Sequence, residues 1–223
     1  ALMIFVLIKE SQQNLLTQKK SSMIDGFKNI KSINKTVLIF LISLIFISIA
    51  HTNLSKYLDV YFDELGYDTG FIGNYNLIMG IVGILTSIII VPLIIKVNRN
   101  LLVMQIIQMV SIIAVLYVFR APDFLFAIYS VFMIYIIGHA IFQPLEQNFI
   151  ADQSKKGLYS TTMGLRQSFF SIGMVIGPLI GGVLFDLKPL YVFDFSVAML
   201  LIGLILILVV QIRLKKENQS LSS

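Results

Sequence analysis

Long stretches without charge recur along the chain. Thr36–Ser55, Thr69–Ile95, Asn100–Phe119 and Phe124–Leu145 contain no Asp, Glu, Lys or Arg. Gly157–Phe185 is broken only by Arg166, and Pro189–Ile212 only by Asp194. Each reaches the roughly 20 residues that a helix needs to cross about 30 Å of hydrocarbon. They are too long for the buried helices of a soluble core. They are also continuously apolar, which excludes the alternating pattern of membrane strands. The pattern therefore predicts an all-α membrane protein with six transmembrane helices at 36–212 joined by short loops, so that successive helices run antiparallel.

The flanks extend this layout. Residues 1–8 are apolar but too short to span, and they lack the basic start of a signal peptide. They are expected to be the end of a truncated further helix. Residues 9–35, rich in Lys, Ser, Asn and Gln, have the composition of a flexible polar linker. Residues 213–223 are expected to form a tail on the same side.

Composition agrees. Hydrophobic residues are 57% of the 223 and charged residues 13%, against about 25% charged in ordinary soluble domains. The net charge of +5 is mostly a topology signal. With the linker in the cytoplasm, that side collects Lys9, Lys19, Lys20, Lys28, Lys31 and Lys35, the Lys96/Arg99 and Lys155/Lys156 loops, and Arg213, Lys215 and Lys216. The other side holds Lys56, Arg120 and Lys188 beside several acids. This is the positive-inside distribution. It predicts a multi-pass protein of a bacterial plasma membrane with linker and C-terminus cytoplasmic. The basic residues are spread over separate loops without interleaved aromatics, so no nucleic-acid partner is expected. Two histidines and no cysteine make a metal site unexpected, and no cofactor is implied.

The fifth helix carries the segment GLRQSFFSIGMVIGPLIGG, Gly164–Gly182. Gly173, Gly177 and Gly181 fall at i, i+4 and i+8, a row of small residues that lets another helix approach closely. Pro178 bends the helix and frees a carbonyl, so this region should face protein rather than lipid. Plain tight packing explains the glycines as well as a transport role does.

Gly164, Gly173, Gly177-Pro178 and Gly181-Gly182 together resemble the antiporter motif of the major facilitator superfamily. MVIGPLIGGVLFD is most similar to the corresponding stretch of bacterial multidrug exporters of the quinolone-efflux type. The resemblance implies a twelve-helix, two-lobed transporter that moves drugs outward in exchange for protons and contributes to antibiotic resistance. The loop after the second helix should then read G-x-L-a-D-r-x-G-R-r in a first half. Here it is VPLIIKVNRN, with Val91, Ile95 and Asn98 at the glycine, acid and second glycine, and only Lys96 and Arg99 matching. The arginine expected midway along a first-half fourth helix is absent too. These departures imply the C-terminal half, helices seven to twelve, whose partner is the N-terminal six-helix half of the same transporter.

Polar groups inside the spans are the candidate functional residues, because charge in hydrocarbon is costly and is kept for pairing, cavities or the interface. On the fourth helix Phe132, Tyr135, His139, Gln143 and Glu146 share one face. Antiparallel counting at about 1.5 Å per residue brings Arg166 within reach of Glu146 or His139, a candidate gate or coupling pair. Snorkelling of both charges to the interface is the alternative. His139 suits either a proton relay or a neutral inter-helix hydrogen bond. On the first helix Ser48, Thr52, Ser55 and Asp59 form a second polar stripe beside His51. The resemblance makes the first and fourth helices the cavity-lining ones, so the expected lining is His51, Thr52, Ser55, Tyr135, His139 and Gln143. It also places the third and sixth helices against lipid, despite Gln105, Gln108 and Ser111. Tyr57, Tyr61, Tyr75, Met79, Phe132, Tyr135, Phe142, Phe169 and Met174 suit a pocket for a small lipophilic substrate, or ordinary membrane core. The leading function is export of lipophilic drugs against protons across the bilayer. Proton-coupled uptake of a polar solute is a second reading. A membrane receptor or enzyme is a third, although no convergent catalytic set is present.

Overall fold

A computed structural model describes residues 33–97, 99–154 and 158–222. The expected helix end at 1–8 and nearly all of the 9–35 linker lie outside the described residues. Six helices follow: α1 Lys35–Glu64, α2 Thr69–Ile95, α3 Asn100–Val118, α4 Phe124–Gln153, α5 Tyr159–Leu187 and α6 Pro189–Ser222. All six are long and apolar enough to cross a membrane, and no strand occurs among the described residues.

The loops carry the chemistry that starts and stops helices. Asn34, Asp68 and Asp123 cap α1, α2 and α4 by accepting from the amides of Thr36 (3.1 Å), Phe71 (3.1 Å) and Phe126 (3.0 Å). α1 ends in a Schellman motif. Gly66 adopts φ 84°, its amide donates to the Asp63 carbonyl at 2.9 Å, and that of Tyr67 donates to Phe62 at 3.0 Å. The Tyr67 and Phe62 rings then pack edge to face at 5.7 Å.

Two elements depart from the sequence expectation. The second span is not uniformly α-helical: Thr86–Ile90 widens into a π-helical turn, with the Val91 amide reaching back to the Thr86 carbonyl. Pro92 lies just beyond it, and the wider turn absorbs the clash a proline ring makes with the carbonyl four residues earlier. Residues 213–222 are not a separate tail but the last turns of α6, whose Glu217 accepts from the Thr36 hydroxyl at 2.8 Å and so ties the helix to the start of α1.

α1 is the central helix. It packs closely along α5 and α6, while α3 packs against α4 and α6, and α2 leans mainly on α4. α1 and α4 are held apart and meet through large side chains, such as the Phe40–Phe149 ring pair at 4.5 Å and Tyr61–Phe124 at 5.4 Å. The side chains that suited either a lipophilic pocket or ordinary membrane core divide within this packing. Tyr75, Met79, Phe132, Tyr135, Phe142 and Phe169 are buried in the core, while Met174 is exposed. Rings fill the wide gap because no small-residue seam draws α1 and α4 together. At the end formed by the α1–α2 and α3–α4 loops, Phe62, Phe119, Phe124 and Phe193 extend this packing, with Phe119 stacked on Phe193 at 3.6 Å.

Candidate functional site

The glycine row of α5 does face protein. It is the seam with α1. A methyl group added at Gly173 would lie 1.8 Å from Ser48 Oγ and 2.4 Å from the Ile45 carbonyl oxygen. One at Gly177 would lie 3.0 Å from the Ile49 carbonyl, and one at Gly181 2.7 Å from Asn53 Oδ1. Ser48 thus belongs to this seam and not to a cavity stripe. Gly182 lies beside the Tyr57 hydroxyl, which donates to the Pro178 carbonyl at 2.8 Å, so the kinked part of α5 is anchored to α1. Gly164 stands apart. Nothing approaches within 4 Å of a methyl group there, and it takes no part in close packing, because nine residues before Gly173 it falls on the opposite, exposed side of α5.

Near the other end of α5, Arg166 reaches Glu146 of α4. Its Nε donates to Glu146 Oε1 at 3.1 Å, and Nη2 contacts the same oxygen. The carboxylate side chain is 1% exposed and the guanidinium side chain 12%. Arg166 also donates to Gln167 Oε1 and lies 5.7 Å from the Phe170 ring centre. Antiparallel counting left Glu146 and His139 open as partners, and Glu146 is the one in contact. The pair bridges two helices that otherwise touch sparsely, and the burial of Glu146 is inconsistent with snorkelling.

The polar groups of α1 and α4 meet near the middle of the bundle. The His51 and His139 rings stack at 3.4 Å, and the Tyr135 hydroxyl is hydrogen-bonded to His51 Nδ1 at 2.9 Å. A cavity of about 10 Å³ beside them is close to the space one water needs. Thr52 is buried, whereas Ser55 and Gln143 are exposed on the bundle surface, so the six expected lining residues do not form one surface. Asp59 accepts from Asn76 of α2 at 3.1 Å.

α3 has one exposed face and one buried polar face. Gln105, Gln108 and Ser111 are buried and point into the bundle. Gln105 donates to Gln211 of α6 at 3.0 Å, and Gln108 and Ser111 line the small cavity with the two histidines. Lipid would leave these amides without partners, so they turn inward. The opposite face of α3, with Ile106, Met109, Ile113 and Tyr117, is exposed. Two residues given no role from sequence also matter. Asn53, fully buried on the α5 seam, has neither amide atom hydrogen-bonded, and Gln108 Nε2 is likewise unpaired. Gly203 of α6 packs against the Ile47 side chain of α1. An asparagine inside an apolar span was itself the available signal for Asn53. The i, i+3, i+6 spacing on α3 was the signal for the buried glutamine face.

Six membrane-spanning helices, with close glycine packing, a buried ion pair and inward-turned polar groups, define a polytopic helical membrane protein built around interior polarity. The sequence profile of the Major Facilitator Superfamily matches residues 2–222, and the chain belongs to that family. Its members are secondary transporters and not enzymes, which supports a transport function in general. No curated protein matches the chain.

Proposed function

We propose that the chain is the C-terminal half of a drug–proton antiporter. It exports lipophilic compounds across the plasma membrane by alternating access against an N-terminal six-helix half, with the basic loops on the cytoplasmic side. The buried Arg166–Glu146 pair is the observation that carries this reading. A charge pair in hydrocarbon is expensive to maintain, and here it latches α4 to α5 where little else does. Rocking of the two halves admits water to the pair, and protonation of Glu146 removes the charge that holds Arg166. The latch then opens, and closes again when the proton leaves. Cavities of such transporters lie near the bilayer midplane between the halves, and Tyr135 and His139 are the polar groups of α4 nearest that level.

The apolar surfaces support a lipophilic cargo over a polar one. From Ile172 to Val183 every exposed residue of α5 is apolar. Along α2 beyond Asn76 the same holds except for Ser87, whose hydroxyl is already bonded to the Gly83 carbonyl. A sugar or amino acid would need more hydrogen-bonding groups than these faces offer.

The test uses full-length protein in proteoliposomes, following efflux of a lipophilic cationic dye with and without an imposed pH gradient. Dye movement driven by the gradient and reduced by Arg166→Gln is expected. Movement indifferent to the gradient would refute antiport, and proton-driven accumulation of a sugar or amino acid would establish the symport reading instead.

A further inference from the structure

At the residue next to His139, α4 lets α3 come close. A methyl group added at Gly138 would lie 3.0 Å from Ile107 Cγ2 and 3.6 Å from Ser111 Oγ. That approach carries Gln108 and Ser111, one turn apart on the same face of α3, to the histidine pair. They line the cavity of about 10 Å³ together with His51, Tyr135 and His139. Ile47, Ile107 and Leu200 supply apolar walls.

The hydrogen-bonding groups around this space do not satisfy one another. Gln108 is 3% exposed, and its Nε2 has no hydrogen-bond partner. A buried amide left unpaired is costly. His51 Nδ1 is taken by the Tyr135 hydroxyl. His139 is stacked on His51 and makes no hydrogen bond among the described residues. A neutral imidazole carries one donor and one acceptor nitrogen, so whichever nitrogen of His139 faces the space can serve as the acceptor. A donor and an acceptor thus border one small space without meeting.

Size and charge select what joins them. About 10 Å³ is the room of one water, and water both accepts and donates, as this lining requires. No Asp, Glu, Lys or Arg lines the space, which disfavours an ion. A metal held by both histidines is excluded by geometry. Imidazole lone pairs lie in the ring planes, and these planes are 17° from parallel with centres 3.4 Å apart. They do not converge on an ion about 2.1 Å from each nitrogen.

We infer that this space is a binding site for one structural water, which accepts from Gln108 Nε2 and donates to a ring nitrogen of His139, with Ser111 Oγ as a further partner. The water joins α3 to the histidine pair of α1 and α4. It also decides the His139 tautomer, because the nitrogen that accepts from water is bare and the proton sits on the other one. His139, partly exposed, then presents a fixed N–H donor away from the water. The inference needs only the packed fold and is independent of what the protein transports.

Two measurements on the full-length protein in detergent test it. Gln108→Met keeps an unbranched side chain of similar length and removes its amide. If Gln108 holds the water, the thermal midpoint falls by roughly 2–4 °C. If the amide has no partner, methionine removes its cost and the midpoint rises. Nitrogen-15 NMR of histidine-labelled protein, at a pH where both imidazoles are neutral, reads the tautomer, with the His139 signals assigned from their loss in His139→Asn. The wild type should show a single His139 tautomer and Gln108→Met a mixture of the two. Gln105→Met breaks the paired amide one turn away and is the control. It should lower the midpoint and leave the tautomer as in the wild type. A raised midpoint in Gln108→Met, a His139 tautomer unchanged by it, or the same tautomer change in Gln105→Met would overturn the proposal.

Discussion

Replacing Gly173 with alanine puts one methyl group into the tightest helix contact of the structure. That carbon would sit 1.8 Å from Ser48 Oγ and 2.4 Å from the Ile45 carbonyl oxygen. Ser48 can rotate away, but the carbonyl belongs to the α1 backbone and cannot. Non-bonded heavy atoms need about 3.5 Å, so α1 and α5 must separate by roughly 1 Å. Overpacking of this kind costs about 1–3 kcal/mol or more. Alanine returns up to about 1 kcal/mol of helix propensity relative to glycine. The separation also loosens Gly177 and Gly181, which share the seam, so a net loss of about 2 kcal/mol is expected. Thermal unfolding in detergent, followed by circular dichroism, measures it. Gly177→Ala, with its nearest contact at 3.0 Å, should cost less. Gly164→Ala, with nothing within 4 Å, should be neutral or slightly stabilising. Adding Ser48→Ala to Gly173→Ala should not restore stability, since the Ile45 carbonyl remains. If Gly173→Ala unfolds together with the wild type, or Gly164→Ala is equally damaging, the seam argument is wrong.

Removing either partner of the Arg166–Glu146 pair should cost roughly 3–5 kcal/mol by leaving a buried charge unpaired. The double change to Gln at both positions should recover most of that loss, read as a coupling energy in a double-mutant cycle of the same unfolding assay. Tyr57→Phe deletes the hydrogen bond to the Pro178 carbonyl but keeps the ring stacked on Phe185 at 5.4 Å. It should lower stability by about 0.5–1.5 kcal/mol, and an unchanged midpoint would mean that the bond does not anchor α5. The Arg120–Asp194 bridge, with side chains 53% and 43% exposed, should contribute less than about 1 kcal/mol. Arg120→Gln should therefore leave the midpoint nearly unmoved at any salt concentration.

The six spans were legible in the sequence because a backbone in hydrocarbon must satisfy its own hydrogen bonds, which leaves long apolar helices as the available solution for such runs. The capping residues Asn34, Asp68 and Asp123 set helix starts by local chemistry alone. Antiparallel counting brought Arg166 within reach of Glu146 and His139, since helical rise is fixed, and the packed structure selects Glu146. What each side chain faces was decided only by the tertiary structure. In water a helix marks its buried face with apolar residues, but in a membrane the lipid and the protein interior are both apolar, so that mark is weak. Hence Gln105, Gln108 and Ser111 could sit on a helix expected against lipid and yet turn inward, and Gly164 could share a motif with Gly173 and yet stay out of the seam. The stacking of His51 on His139 likewise depends on how far apart the core rings hold α1 and α4, a distance that emerges only when all six helices pack together.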